Sequence, residues 1–146
     1  MLEASDSRMN QKPLLDEFTV NWLDLRRLRW GRVAIGGVCA ELAVFAIVFP
    51  VLHFFGQTAF LASILTASLL MPFLFALWVD RRVESHFLLH GLLVGLVAAL
   101  VYLLAARGQP EPLLYKVAHG LKLAGGILGG ALSAFRASLQ RVSGSI

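Results

Sequence analysis

Cysteine is scarce in this sequence, and its scarcity excludes two common ways of stabilising a small protein. Cys39 is the only cysteine among 146 residues, and it lies inside a long apolar run. A single cysteine forms neither a disulfide nor a cysteine-based metal site within one chain. Stability must therefore come from packing and from the surroundings of the chain.

Charged residues are also few. Only 15% of the residues are charged, whereas 58% are hydrophobic. A soluble domain with this balance would expose large apolar patches to water. The sequence therefore predicts an integral membrane protein embedded in a lipid bilayer. The net charge of +4 comes mainly from basic residues beside the apolar runs, which is typical of membrane topology signals and does not indicate nucleic-acid binding.

Catalytic and targeting motifs are missing as well. The sequence has no phosphate-binding glycine loop, no nucleophile elbow and no HExxH helix, so we expect neither an enzyme nor a bound cofactor. Residues 1 to 13 are polar and the first long apolar run begins only at Val33, so we expect insertion without a cleaved signal peptide. An absent glycosylation sequon agrees with a bacterial cytoplasmic membrane.

Four apolar runs predict an all-α, polytopic membrane protein with four transmembrane helices in two antiparallel hairpins. Each run is long enough to cross a hydrocarbon layer of about 30 Å at about 1.5 Å per residue. Gly56, Gln57 and Thr58 are predicted to form the first tight turn, and Pro50 and Pro72 to bend their helices. The predicted spans are 33–55, 59–79, 86–106 and 112–135.

The region before the first span predicts an amphipathic helix over 13–32, lying in the headgroup layer or docked on a partner protein. Residues 1–12 and 136–146 are predicted to be polar tails. Basic residues cluster beside the ends of the runs that would face the cytoplasm, so both termini are predicted to be cytoplasmic. The predicted interfacial anchors are Trp22, Arg26, Arg27, Arg29, Trp30 and Arg32.

Small residues line one face of each predicted span, and the last span is the richest in glycine. Glycine lets membrane helices approach closely, and small-xxx-small pairs support such contacts within one chain or between copies. The sequence does not distinguish these two alternatives. The predicted packing glycines are Gly37, Gly91, Gly95, Gly126, Gly129 and Gly130.

Four ionisable residues fall at membrane depth: Glu41, His90, His119 and Lys122. Such residues face the interior of a helical bundle and are functional candidates by default. Counted from the cytoplasmic helix ends, Glu41 lies about 12 Å deep and Lys122 about 20 Å deep, a gap that the lysine stem can bridge. Glu41 is then a candidate proton or cation site. The simpler alternative is that the two charges only neutralise each other, or that Glu41 is protonated.

The segment GGVCAEL, Gly36 to Leu42, resembles the first helix of the small multidrug resistance transporters. That resemblance implies a membrane-embedded glutamate that binds a proton and a cationic drug. The rest of the chain departs from that family in its amphipathic extension, its positive-inside bias and its last helix with histidine and lysine. We therefore transfer no function from it.

His86 and His90 are four residues apart, a spacing that places both on one helix face and offers a weak candidate for a divalent metal. Ordinary solvated histidines are the alternative, and we predict no metal site.

Two functions remain. The first expectation is a small membrane protein that acts through helix packing, as a homo-oligomer or as an accessory subunit of a larger membrane complex. The alternative is a minimal proton- or cation-coupled transporter or channel, working as an oligomer, with Glu41 as its coupling residue.

Overall fold

The computed structural model describes residues 28–83, 86–107 and 109–143, and these residues form three helices. Helix α1 spans Trp30–Asp80, α2 spans Phe87–Ala106 and α3 spans Leu113–Ser143. The all-helical class agrees with the continuous apolar runs and with the near absence of strand-like alternation.

Helix α1 reverses direction at a single residue. Gly56 has φ 79° and ψ −173°, a combination that is essentially restricted to glycine. A methyl group added at Gly36 would lie 2.7 Å from Cγ2 of Val79, although a straight helix would separate these positions by more than about 60 Å. Helix α1 therefore folds back into two packed arms, which we call the N-terminal arm (30–55) and the C-terminal arm (57–80).

The prediction of four separate transmembrane helices is wrong, because the described chain has three helices. The predicted runs 33–55 and 59–79 both belong to α1. We expected a three-residue turn between them, but Gln57 and Thr58 are helical and only Gly56 leaves the helical conformation. Pro50 and Pro72 lie inside the arms without interrupting them.

Two of the three helices, α1 and α2, are long and apolar enough to cross a membrane by length and composition. Helix α3, which contains the predicted span 112–135, is not among these candidates in the described part of the chain. Its glycines, together with His119 and Lys122, dilute its hydrophobicity. It also continues to Ser143, across the boundary predicted for the C-terminal tail.

Helix α3 packs against both α1 and α2 through backbone contacts that glycine permits. Methyl groups at Gly126 and Gly91 would each collide with the carbonyl oxygen of the other residue. A methyl group at Gly129 would lie 2.6 Å from the carbonyl oxygen of Phe73, on the C-terminal arm. The glycine face of α3 is thus used inside the chain. The same is true of Gly95 and Gly130, whose added methyl groups would meet backbone atoms of α3 and α2 respectively.

Much of the predicted interfacial helix, including Trp22, Arg26 and Arg27, lies outside the described residues, as does the predicted tail 1–12. Of the remaining anchors, Arg29 directly precedes α1, Trp30 is its first residue and is exposed, and Arg32 is half-buried in its first turn.

Candidate functional site

Glu41 and Lys122 form a buried ion pair between the N-terminal arm of α1 and helix α3. The Nζ atom of Lys122 lies 2.7 Å from Oε2 of Glu41, and the two side chains are 3% and 0% exposed. Lys122 thus pairs with Oε2, whereas the other carboxylate oxygen, Oε1, has no hydrogen-bond partner in the described part of the chain. The carboxylate therefore keeps accepting capacity for another group.

Helix geometry explains why these two side chains meet. Glu41 shares the buried face of the N-terminal arm with Gly37, Ala40 and Val44, at spacings of three and four residues that place them on one side of a helix. On α3, the backbone of Lys122 packs directly against Gly95 of α2. Because glycine lets α3 approach so closely, the lysine stem reaches Glu41 without leaving the interior.

The ion pair lies in the wall of a cavity of about 180 Å³ between the two arms of α1 and helices α2 and α3. This volume equals that of about six water molecules, at about 30 Å³ each. Most of the wall is apolar or aromatic, and the lining residues cluster in the half of the molecule nearest Gly56. They are Glu41, Val44, Phe45, Val48, Phe49, Phe60, Ile64, Ser68, Tyr102, Tyr115, Ala118, His119 and Lys122.

A series of polar groups connects the ion pair to the beginning of α3. The ammonium of Lys122 lies 4.8 Å from the ring centre of Tyr102, a distance at which a cation is attracted to an aromatic face. The rings of Tyr102 and His119 meet edge to face, with centres 4.9 Å apart. The Nε2 atom of His119 then lies 3.2 Å from Oε2 of Glu111, which precedes α3.

Ser68 adds a second unsatisfied group to this cavity. It is fully buried on the C-terminal arm, and its hydroxyl has no hydrogen-bond partner among the described residues. With Glu41 it gives the cavity polar groups on both arms of α1. Such an apolar cavity with a few convergent polar groups is the usual form of a small-ligand site.

Three of the four predicted intramembrane residues therefore meet in one place, and His90 does not. His90 is 2% exposed on α2, and its Nδ1 atom lies 2.9 Å from the carbonyl oxygen of His86. His86 itself has a left-handed backbone, with φ 59°. Within the described ranges, no group of three or more His, Cys, Asp or Glu side chains is placed to hold a metal.

Three residues that the structure makes important were not predicted from the sequence. Glu111 precedes His119 by eight residues, close to two helical turns, so a periodicity search could have paired them. Ser68 gave no signal beyond its place in an apolar run. Asp80 directly follows the predicted span 59–79 and nothing in the sequence indicated burial, yet it is only 3% exposed.

No protein-family model, curated protein or solved structure matches the chain.

Proposed function

We propose that this chain is an integral membrane protein whose Glu41 and Lys122 form a binding site for a proton or small cation, as in a minimal coupled transporter. The observation that carries the proposal is the fully buried ion pair in the wall of the aromatic cavity. Burying two charges is costly even when they are paired.

Membrane placement is supported by the exposure of the apolar helices. In the most apolar stretches of α1 and α2, only 33% and 39% of the residues are buried within the chain. Large apolar side chains such as Phe54, Phe55 and Leu104 are more than 70% exposed. Lipid covers such a surface at no cost, whereas water does not.

We further propose that the end of the molecule opposite Gly56 faces the cytoplasm of a bacterial cell. Val33 and Val79 pack in one cluster, so both ends of α1 lie together. Arginine flanks these ends, with Arg29, Arg81 and Arg82 among the described residues. Arginine beside membrane-spanning segments favours the cytoplasmic side.

Within this proposal, each polar group has a distinct role. Glu41 accepts the proton or cation, and Lys122 provides the counter-charge that keeps the unoccupied site close to neutral. His119, held between Tyr102 and Glu111, is placed to relay a proton between the beginning of α3 and the pair.

A second candidate is the role of homo-oligomer or accessory subunit. The glycines that suggested this role make their close contacts within the chain. The size of the cavity nevertheless favours an oligomer or a complex. A mostly apolar space of about 180 Å³ is too small to form a pathway across a membrane by itself. Gentle detergent extraction should recover a defined homo-oligomer or a stoichiometric partner. A clean monomer would contradict this role.

The test of the transport proposal uses the full chain in proteoliposomes that contain a trapped pH-sensitive dye. A proton gradient is applied alone or against a Na⁺ or methylammonium gradient. We expect proton flux in the natural protein and none in the double variant Glu41→Gln/Lys122→Met, which removes both charges together and so leaves no unpaired charge.

Lys116→Met is the matched control, because Lys116 is an exposed lysine on the same helix and does not line the cavity. It should keep the flux of the natural protein. Absence of flux in the natural protein, or equal flux in the double variant, would reject the transport proposal and leave the pair a static contact.

A further inference from the structure

A second cavity lies at the opposite end of the molecule, where α1 ends beside the C-terminal half of α3. Its volume is about 300 Å³, and its wall is more polar than that of the first cavity. The polar side chains in its wall are Asp80, Arg81, Ser133, Arg136 and Gln140. None of them belongs to the Glu41 site.

Asp80 is the buried member of this group. It is 3% exposed, and its carboxylate oxygens meet no well-aligned hydrogen-bond donor among the described residues, although the Ser133 hydroxyl lies beside them. A buried carboxylate without a donor is costly, so in native proteins such groups are normally paired. The side chain thus presents two strong acceptors to the cavity.

The backbone adds to the negative potential around Asp80. This residue ends α1, and the last turn of that helix contains no basic side chain. The final carbonyl groups of a helix carry partial negative charge and lack partners within the helix. A ligand group that donates several hydrogen bonds and carries positive charge, such as a primary ammonium, fits this position.

The wall of the same cavity also carries positive charge. Arg81 lines it from the turn after α1 and Arg136 lines it from α3, and both are exposed. Arginine binds phosphate through paired N–H donors. Positive and negative partners are thus presented to the same space.

This arrangement argues against simpler ligands. A metal cation would find one carboxylate, one hydroxyl and one amide, with two arginines repelling it. An isolated anion would be repelled by Asp80. A group with a primary ammonium next to a phosphate can pair with Asp80 and with the two arginines at once.

We propose that the cavity of Asp80, Arg81 and Arg136 binds a phosphoethanolamine group, with the ammonium on Asp80 and the phosphate on the two arginines. In a bilayer this group is the headgroup of phosphatidylethanolamine. The lipid source rests on the membrane placement proposed above, but not on transport at Glu41, so the two proposals fail separately.

The experiment measures lipid binding to the purified full chain in detergent by native mass spectrometry. Phosphatidylethanolamine and phosphatidylcholine with identical acyl chains are compared, because the choline group has no N–H to donate. We expect the natural protein to bind the ethanolamine lipid about tenfold more tightly, as one charge-assisted hydrogen bond allows. Equal binding of the two lipids would overturn the proposal.

Asp80→Asn should abolish the preference while leaving phosphatidylcholine binding unchanged, which serves as an internal control for folding. Arg136→Gln gives an independent test, since it should weaken both lipids, which share the phosphate. Arg107→Gln, near the other end of the molecule, should change neither. A preference that survives in folded Asp80→Asn, or equal effects of the two arginine variants, would also overturn the proposal.

A final competition experiment identifies whether the phosphoethanolamine group comes from a lipid or from a free molecule. Free O-phosphoethanolamine is added as a competitor during the lipid titration. Displacement of the lipid shows that the group alone is recognised. Lipid binding with the preference intact and no displacement shows that the acyl chains contribute, and thus that the natural ligand is the lipid.

Discussion

The half of the molecule nearest Gly56 and the half nearest Asp80 are built from the same three helices but packed in different ways. In the first half, aromatic side chains such as Phe45, Tyr102 and Tyr115 hold the helices around a cavity. In the second half, Gly126 and Gly129 let the backbone of α3 touch its neighbours. Aromatic side chains from all three helices thus surround the cavity near Gly56, whereas the glycines of α3 let its backbone contact the neighbouring helices directly.

The largest expected effect concerns the ion pair in the half nearest Gly56. Lys122→Met alone leaves Glu41 buried without its partner, and breaking a buried pair costs about 3 to 5 kcal/mol. Adding Glu41→Gln should recover most of that loss. Unfolding in a denaturing detergent titration, followed by circular dichroism, measures both. If the single and double variants are equally stable, the pair does not stabilise this half.

The half nearest Asp80, where glycines bring the helices together, should be sensitive to one added methyl group. Gly126→Ala would place that group against the carbonyl oxygen of Gly91, and overpacking against a rigid neighbour costs about 1 to 3 kcal/mol. Gly120→Ala is the matched control, because nothing lies within 4 Å of the added group. The same titration should show a loss for the first variant only. A loss of equal size in both would mean that helix packing does not depend on the glycine contact.

The reversal that joins the two arms of α1 should depend on backbone conformation alone. Nothing lies within 4 Å of a methyl group added at Gly56, so Gly56→Ala should cost about 1 to 3 kcal/mol through backbone strain. Gly31→Ala, equally open but helical, should cost nothing. A D-alanine at position 56, introduced by chemical ligation, should restore stability because it favours positive φ. Failure of that rescue would argue against strain as the cause.

The sequence predicted the parts of the fold that depend on local composition. The predicted span 86–106 and helix α2, Phe87–Ala106, differ by one residue, because charged residues flank a mostly apolar run. Counting residues along the helices was enough to bring Glu41 close to Lys122. His119 joined them because it lies three residues from Lys122, and therefore on the same side of α3.

Other features depend on contacts between distant residues, so local patterns could not reveal them. A helix interrupted at one glycine has the same composition as two helices joined by a short turn, which explains the error at Gly56. Burial of Asp80 depends on α3 passing beside the end of α1. Helix α3 continues to Ser143 through a polar sequence, which lacks the apolar periodicity that would predict a helix.

The single-residue reversal at Gly56 also has a mechanical consequence. If Gly56 acted as a pivot about which each arm of α1 rotated as a rigid rod, the displacement of a residue would grow with its distance from that glycine. Glu41 lies fifteen residues from the pivot and Asp80 twenty-four, or about 22 and 36 Å along the helix axis. A rotation of about 5° at the pivot would shift Glu41 by about 2 Å and Asp80 by about 3 Å. A change in φ and ψ of Gly56 would therefore alter the width of both cavities together.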